Sequence, residues 1–363
     1  MYGNRNENLV ERFEDWWRRD NKRLPLMELK ACRDNAVWHM KEPDDPTVKY
    51  TDAAFRLGCM RDNLNNVLYL ADSYASLEVN YGPGSLALYL GAEPRFAHDT
   101  VWYEPCFTEE EYEPDLRFDP ENKWWKNHLA LVRTLKEAAG DDFLVEIPDL
   151  IENLDILAAM RGPENTLFDI MDRPETVEKA VNQIDDAYFK YYDILYDTVR
   201  DKNGIAAYTA FGIIGKGRVA KIQCDFSAMI SPDHFRRFVL PSLRKQAKRL
   251  DHSLYHLDGP DAIKHVPALM ELEELDALQW TCGAGQPDGA CDRWLPIYDQ
   301  VAAAGKGLWV QLYDGGLDDW IAGAEKLMDR YGMKRFYFHF PWMSEKEAEK
   351  LLDHAGKHWA ERA

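Results

Sequence analysis

The strongest constraint on this chain is a rhythm of short apolar runs. From about residue 66 they recur at 66–72, 100–104, 143–147, 221–225, 253–258, 277–280, 308–313 and 335–340. Stretches at helical spacing lie between most of them, at 124–139, 174–200, 232–250, 262–272, 295–304, 317–330 and 344–360. Strands alternating with helices build βα units on a parallel sheet. Eight such runs predict an α/β fold, a closed (β/α)8 TIM barrel. The alternative is an open doubly wound sheet, but no Gly-x-Gly-x-x-Gly turn follows an early strand, and Tyr81-Gly82-Pro83-Gly84 reads as a tight turn. Residues 1–60 are polar and mostly helical in pattern, with a short strand candidate at 24–29, so they are expected to form a helical N-terminal extension. The barrel is then expected over 61–363. Ser231-Pro232 and the Ser344-x-x-Glu347 capping box mark two helix starts.

The bulk numbers narrow the function. A net charge of −19 argues against nucleic acid or an anionic membrane as partner, because both repel negative charge. The six cysteines are scattered, without a Cys-x-x-Cys, which argues against a disulfide framework. The first residues are polar, no signal peptide is visible, and no apolar run approaches the length of a membrane span. A cytoplasmic enzyme with a small-molecule substrate is the expectation. Twelve Trp and eighteen Tyr supply planar faces for such a pocket, although most of them serve a core this large.

In a barrel the chemistry sits where the strands end. The run Ser253-Leu254-Tyr255-His256-Leu257-Asp258 alternates, so His256 and Asp258 share one face just before Gly259-Pro260. Other polar residues at predicted strand ends are Asp72 with Tyr74, Glu104, Glu146 with Asp149, Cys224 with Asp225, Trp280 with Cys282, Gln311 with Tyr313 and Asp314, and His339 before Trp342. Asp149 and Asp314 also suit turns, and Cys224 also suits a core. His256, Asp258 and His339 would place two imidazoles and a carboxylate at one end of the barrel, and Cys282 or Cys224 a thiolate. Such donors suit zinc, and two His with a carboxylate also suit iron.

The segments Cys224-Asp225-Phe226-Ser227-Ala228-Met229-Ile230-Ser231-Pro232-Asp233-His234-Phe235, Phe238-Val239-Leu240-Pro241 and His256-Leu257-Asp258-Gly259 resemble the uroporphyrinogen decarboxylase superfamily. The resemblance is clearest over 200–360. That superfamily folds as a (β/α)8 barrel and contains porphyrinogen decarboxylases and cobalamin-linked methyltransferases. Two departures stand out. The decarboxylases' Arg-rich N-terminal motif is absent from Leu24-Pro25-Leu26-Met27-Glu28-Leu29-Lys30-Ala31. The thiol-directed methyltransferases' His-x-Cys zinc motif reads His256-x-Asp258 here.

Two activities follow from the resemblance. The first is a zinc-assisted methyltransferase acting on a small methylated substrate or thiol acceptor, with its corrinoid on a partner protein. His256 and Asp258 are then metal ligands, with His339 or Cys282 completing the set. Asp225 or Glu104 serves as acid or base, and Trp280, Gln311, Tyr313 and Trp342 line the pocket. The second is a cofactor-free carboxy-lyase in which Asp72 stabilises a ring intermediate while Tyr74 and His339 orient substrate. Arg61, Lys216, Arg218 and Lys221 are then candidates to hold its carboxylates. A binding barrel without catalysis is a third reading. Barrels of this superfamily also pair, so a homodimer is compatible with the chain.

Overall fold

The computed structural model describes residues 8–108 and 113–360. The first seven residues of the expected N-terminal extension lie outside them. Five parallel strands, Val219–Gln223, His252–Asp258, Ala277–Thr281, Gly307–Gln311 and Phe336–His339, run side by side in that order, and the last pairs in parallel with Leu26–Cys32. Further round, Ser76–Leu77 and Leu144–Val145 pair in parallel, and Ile147 bridges to Tyr208 of the strand Ile205–Tyr208. Ser73 joins the two arcs, its Oγ accepting from Leu29 N at 2.6 Å and donating to Leu29 O at 2.9 Å. The architecture is a TIM-like α/β barrel with helices outside.

The long outer helix Pro174–Val199 illustrates the packing. Pro174 presets its first turn, and Val177, Ala180, Val181, Ile184, Tyr188, Tyr192 and Leu195 recur at helical spacing on its buried face. Tyr192 Oη donates to Val219 O at 2.8 Å, which fastens this helix to the barrel wall. Ser231 caps the turn at Pro232–His234, and Ser344 with Glu347 forms the expected capping box.

Three expectations shift. First, barrel structure begins inside residues 1–60, because Leu26–Cys32 is a full member of the wall. The short strand candidate at 24–29 marks its first half; beyond it, the buried Glu28 and half-buried Lys30 break the apolar pattern. Second, the run at 66–72 forms Val67–Ala71, antiparallel to Leu26–Cys32. Its C-terminal end therefore lies at the bottom of the barrel, where the parallel strands start. Third, the run at 100–104 forms Val101–Glu104, which pairs only with Glu93–Phe96 in a separate antiparallel hairpin.

The helix Leu9–Trp17 closes the bottom. Phe13, Trp16 and Trp17 are fully buried; Trp16 Nε1 donates to Arg335 O at 3.0 Å and Trp17 Nε1 to Ile214 O at 2.8 Å. Three such aromatics contribute on the order of 10 kcal/mol of gross transfer free energy. A sealed bottom leaves the opposite end, where the parallel strands finish, as the way in.

Candidate metal centre and the pocket beside it

Paired residues of neighbouring parallel strands project to the same face. Gln223, His256 and Gln279 pair across three strands, and the same row continues through Trp309 to Tyr337. One step nearer the mouth, Asp258 pairs with Thr281, and His339 pairs with both Gln311 and Glu28. These two rows carry the polar side chains of the barrel's upper half.

Asp225, His256 and Asp258 converge there. One donor atom from each lies within 4.8 Å of the other two, the one such group found among the described residues. Asp225 follows the strand Val219–Gln223 and opens a short turn. Asp155 caps that turn, accepting from Asp225 N at 2.9 Å and Phe226 N at 2.8 Å. Beneath the group, Lys221 is 2% exposed and pairs with Asp149 at 2.8 Å.

Gln279 Nε2 donates to Thr281 Oγ1 at 2.9 Å, and Gln279 Oε1 faces the imidazole and accepts from His256 Nδ1. The bare Nε2 then faces Asp225 Oδ1 at 3.8 Å. Burial, reinforced by the Lys221 charge, pushes the imidazole pKa down and keeps the ring neutral. Asp225 is half exposed at the mouth, and desolvation of its inward side, together with the adjacent Asp155, pushes its carboxyl above the usual range. A nitrogen lone pair and two carboxylates without a shared cation repel one another, and the upward shift of Asp225 relieves part of that repulsion. A divalent cation relieves it directly, and one imidazole with two carboxylates is a donor set that zinc accepts. The residues present fit such an ion.

Cys282 and His339 are not members of this group. Cys282 is buried beyond the end of the next strand with its thiol toward Tyr313, and burial pushes that thiol up to about 12. His339 Nε2 lies 3.5 Å from Glu28 Oε1, and its ring stacks on Trp309 at 5.1 Å. Cys224 alternates outward into the core, and burial raises its pKa well above the usual thiol range.

A pocket of 570 Å³ opens beside the group, lined by Glu28, Lys30, Tyr74, Ser76, Glu146, Phe211, Trp309, Gln311, Tyr337 and His339 among others. Phe211 separates the two features: its ring lies 4.9 Å from that of His256 and 5.4 Å from that of Trp309. Ala210, Phe211 and Gly212 all have left-handed φ, a strained hairpin tip that aims the ring inward. Glu28 is ionised: burial opposes it, but the charges of His339 and Lys30 hold its carboxyl well below the usual range. Glu146 behaves oppositely. Burial, with Glu78 adding to it, pushes its carboxyl up to about 7, although Ser76 Oγ donates to it at 2.5 Å. Tyr74 Oη is buried without a protein partner.

The remaining expected site residues are dispersed. Gln311 lines both this pocket and a second one, of 460 Å³, shared with Asp258, Trp280, Cys282 and Tyr313. Trp342 is exposed at the rim. Glu104 sits on the outlying hairpin, exposed and 3.7 Å from Arg95. Asp72 lies at the bottom of the barrel because its strand runs antiparallel. It accepts from Arg12 at 2.9 Å and from Met27 N at 2.9 Å. Lys221, a candidate from sequence to hold a substrate's carboxylates, pairs instead with Asp149. Gln223, Gln279, Glu28 and Phe211 are not among the residues the sequence points to, although the signal for the two glutamines is present as alternation: Gln223-x-Asp225 and Gln279-x-Thr281 repeat the pattern of His256-x-Asp258 on adjacent strands.

No protein-family model matches this chain, and no curated protein does. Among solved structures, a methyltransferase from Methanosarcina mazei is similar, with a TM-score of 0.64 at 12% identity over 96% of this chain and 98% of that one. At that identity the likeness is one of fold. Among the described residues, no helix is long and apolar enough to cross a membrane.

Proposed function

We propose that this chain is a methyltransferase of the uroporphyrinogen decarboxylase superfamily. It is assisted by zinc and works with a corrinoid carried by a partner protein, on a small methylated substrate or a thiol acceptor. The observation that carries the reading is the convergence of Asp225, His256 and Asp258 at the open end of the barrel. The likeness of fold to a methyltransferase over nearly the whole of both chains supports it. Asp225, His256 and Asp258 would hold the ion, which supplies Lewis acidity toward a leaving group or an acceptor.

The chain's own residues then divide the work. The pocket lined by Tyr74, Glu146, Phe211, Trp309 and Tyr337 binds the substrate and excludes water around it. Tyr74 Oη offers an unused hydrogen bond, and the Glu146 carboxyl holds or releases a proton near neutral pH. Phe211 separates this pocket from the imidazole of His256. The lyase reading asks Asp72 to meet substrate, and its engagement by Arg12 and Met27 N at the barrel bottom does not favour that role.

The test is elemental analysis of the purified protein before and after chelation. Stoichiometric zinc is expected, removable by chelator and absent from His256→Ala and Asp258→Ala. Cys282→Ser and His339→Gln are expected to keep it. Full metal retention in both His256→Ala and Asp258→Ala would overturn the reading.

A further inference from the structure

We infer that Gln223 and Gln279, the two amides flanking His256 in its barrel row, are positioning residues that fix the donor atoms of the candidate metal centre. The inference rests on the metal reading of Asp225, His256 and Asp258. Both glutamines are almost fully buried, in a layer where an apolar side chain would satisfy packing alone. Gln223 has its amide polarity set by a neighbour with no freedom of its own. Lys221 carries only donors, so its ammonium must meet Gln223 Oε1. Gln223 Nε2 therefore donates to Asp225 Oδ2 at 2.9 Å and Asp155 Oδ2 at 3.0 Å. That engages one oxygen of Asp225 and leaves Oδ1, the atom facing His256, for a cation. On the other side, Gln279 accepts from His256 Nδ1 while donating to Thr281. In this arrangement the imidazole proton sits on Nδ1, and Nε2 is presented as the donor. The row thus aims one ligand atom from each flank, as outer partners of metal ligands do.

The experiment uses the full chain and zinc as probe, with affinity read by chelator competition and folding checked by circular dichroism. Gln279→Leu and Gln223→Leu are each expected to weaken zinc binding about tenfold to a hundredfold. Gln279→Glu is expected to restore or exceed wild-type affinity, because a carboxylate accepts from Nδ1 at least as well as the amide does. A structural role for Gln279 predicts the reverse, since a buried carboxylate would disturb the layer as much as Leu. Equal affinity in wild type and Gln279→Leu, or a Gln279→Glu as weak as Gln279→Leu, overturns the inference. Histidine ¹⁵N NMR of zinc-free wild type, with the signal assigned through His256→Gln, separates this from failure of the metal reading. A His256 protonated at Nδ1, and losing that single tautomer in Gln279→Leu, supports the positioning role even if no zinc binds; a proton at Nε2 refutes it.

Discussion

Replacing Glu146 by Gln tests the buried acid of the pocket. Its folded pKa is about 7 against an ordinary 4.5, raised chiefly by burial. The groups facing it are Glu78, Lys30, Ser76 and Thr209, with Tyr74 and Tyr69 nearby. Below the ordinary value, folded and unfolded chains both hold the proton. Between 4.5 and 7 the folded chain keeps a proton that the unfolded chain has released, so stability falls as pH rises through this window. Above 7 the loss is complete. A shift of about 2.5 units corresponds to about 3 kcal/mol. Gln keeps the shape of the protonated acid and carries no such pH term. In urea unfolding followed at pH 4.5 and pH 8.5, the stability of Glu146→Gln relative to wild type is expected to rise by about 3 kcal/mol at the higher pH. A relative stability that stays constant within about 0.5 kcal/mol over this range would refute the reasoning that a desolvated, proton-bearing carboxyl sits in this pocket.

Two further perturbations test the framework around the site. Lys221→Met leaves the buried Asp149 carboxylate without its counter-charge and is expected to cost about 3–5 kcal/mol in urea unfolding. Adding Asp149→Asn should recover most of that loss, and additive effects of the two changes would contradict their pairing. Gly212→Ala imposes a left-handed φ of 56° on alanine and places a Cβ 2.5 Å from Glu28 Oε2. It is expected to lower stability by about 1–3 kcal/mol in thermal melts; an unchanged melting temperature would show that the Phe211 tip relaxes freely.

Much of this architecture is legible in the sequence, and the rest is obscured for identifiable reasons. The strands around His256, Trp280, Val310 and Phe338 read as apolar because one face of each packs on helices, while the barrel face carries isolated polar groups. The capping residues Ser231 and Ser344 are local devices and read directly. Leu26–Cys32 is legible only in part, as the candidate at 24–29, because Glu28 and Lys30 interrupt its apolar pattern, and its pairing with Phe336–His339 is a long-range fact no local pattern carries. Ser76–Leu77 is too short to register as a strand. The runs ending in Asp72 and Glu104 have strand composition, but composition does not distinguish parallel from antiparallel pairing. Direction decides which end of the barrel Asp72 reaches, whereas Glu104 lies away from the site because its strand pairs in a hairpin outside the barrel wall. The alternation of His256 and Asp258 survives because its strand is parallel and central.

The strain pattern ties the site to the loops that deliver it. Among the described residues, six non-glycine positions have positive φ, and four of them, Ile151, Asn153, Ala210 and Phe211, lie in two loops at the barrel mouth. The first leads from Ile147 past Asp149 and Glu152 to Asp155. Asn153 Nδ2 donates to Gln223 O at 2.8 Å, and Glu152 accepts from Gln223 N at 2.7 Å. The second places Phe211 against His256 and Trp309, and Trp309 Nε1 donates to Phe211 O at 2.9 Å. A β-branched residue such as Ile151 does not adopt left-handed backbone for local reasons, and each such position costs on the order of 1–3 kcal/mol. The hydrogen bonds that converge on Gln223 and on Phe211 hold that conformation. Four of the six such positions lie where Asp155, Gln223 and Phe211 meet the metal-ligand candidates, against Arg19 and Ala71 toward the bottom of the barrel, which Trp16 and Trp17 seal. This bias toward the mouth is what a fold shows when precision is needed most at that end.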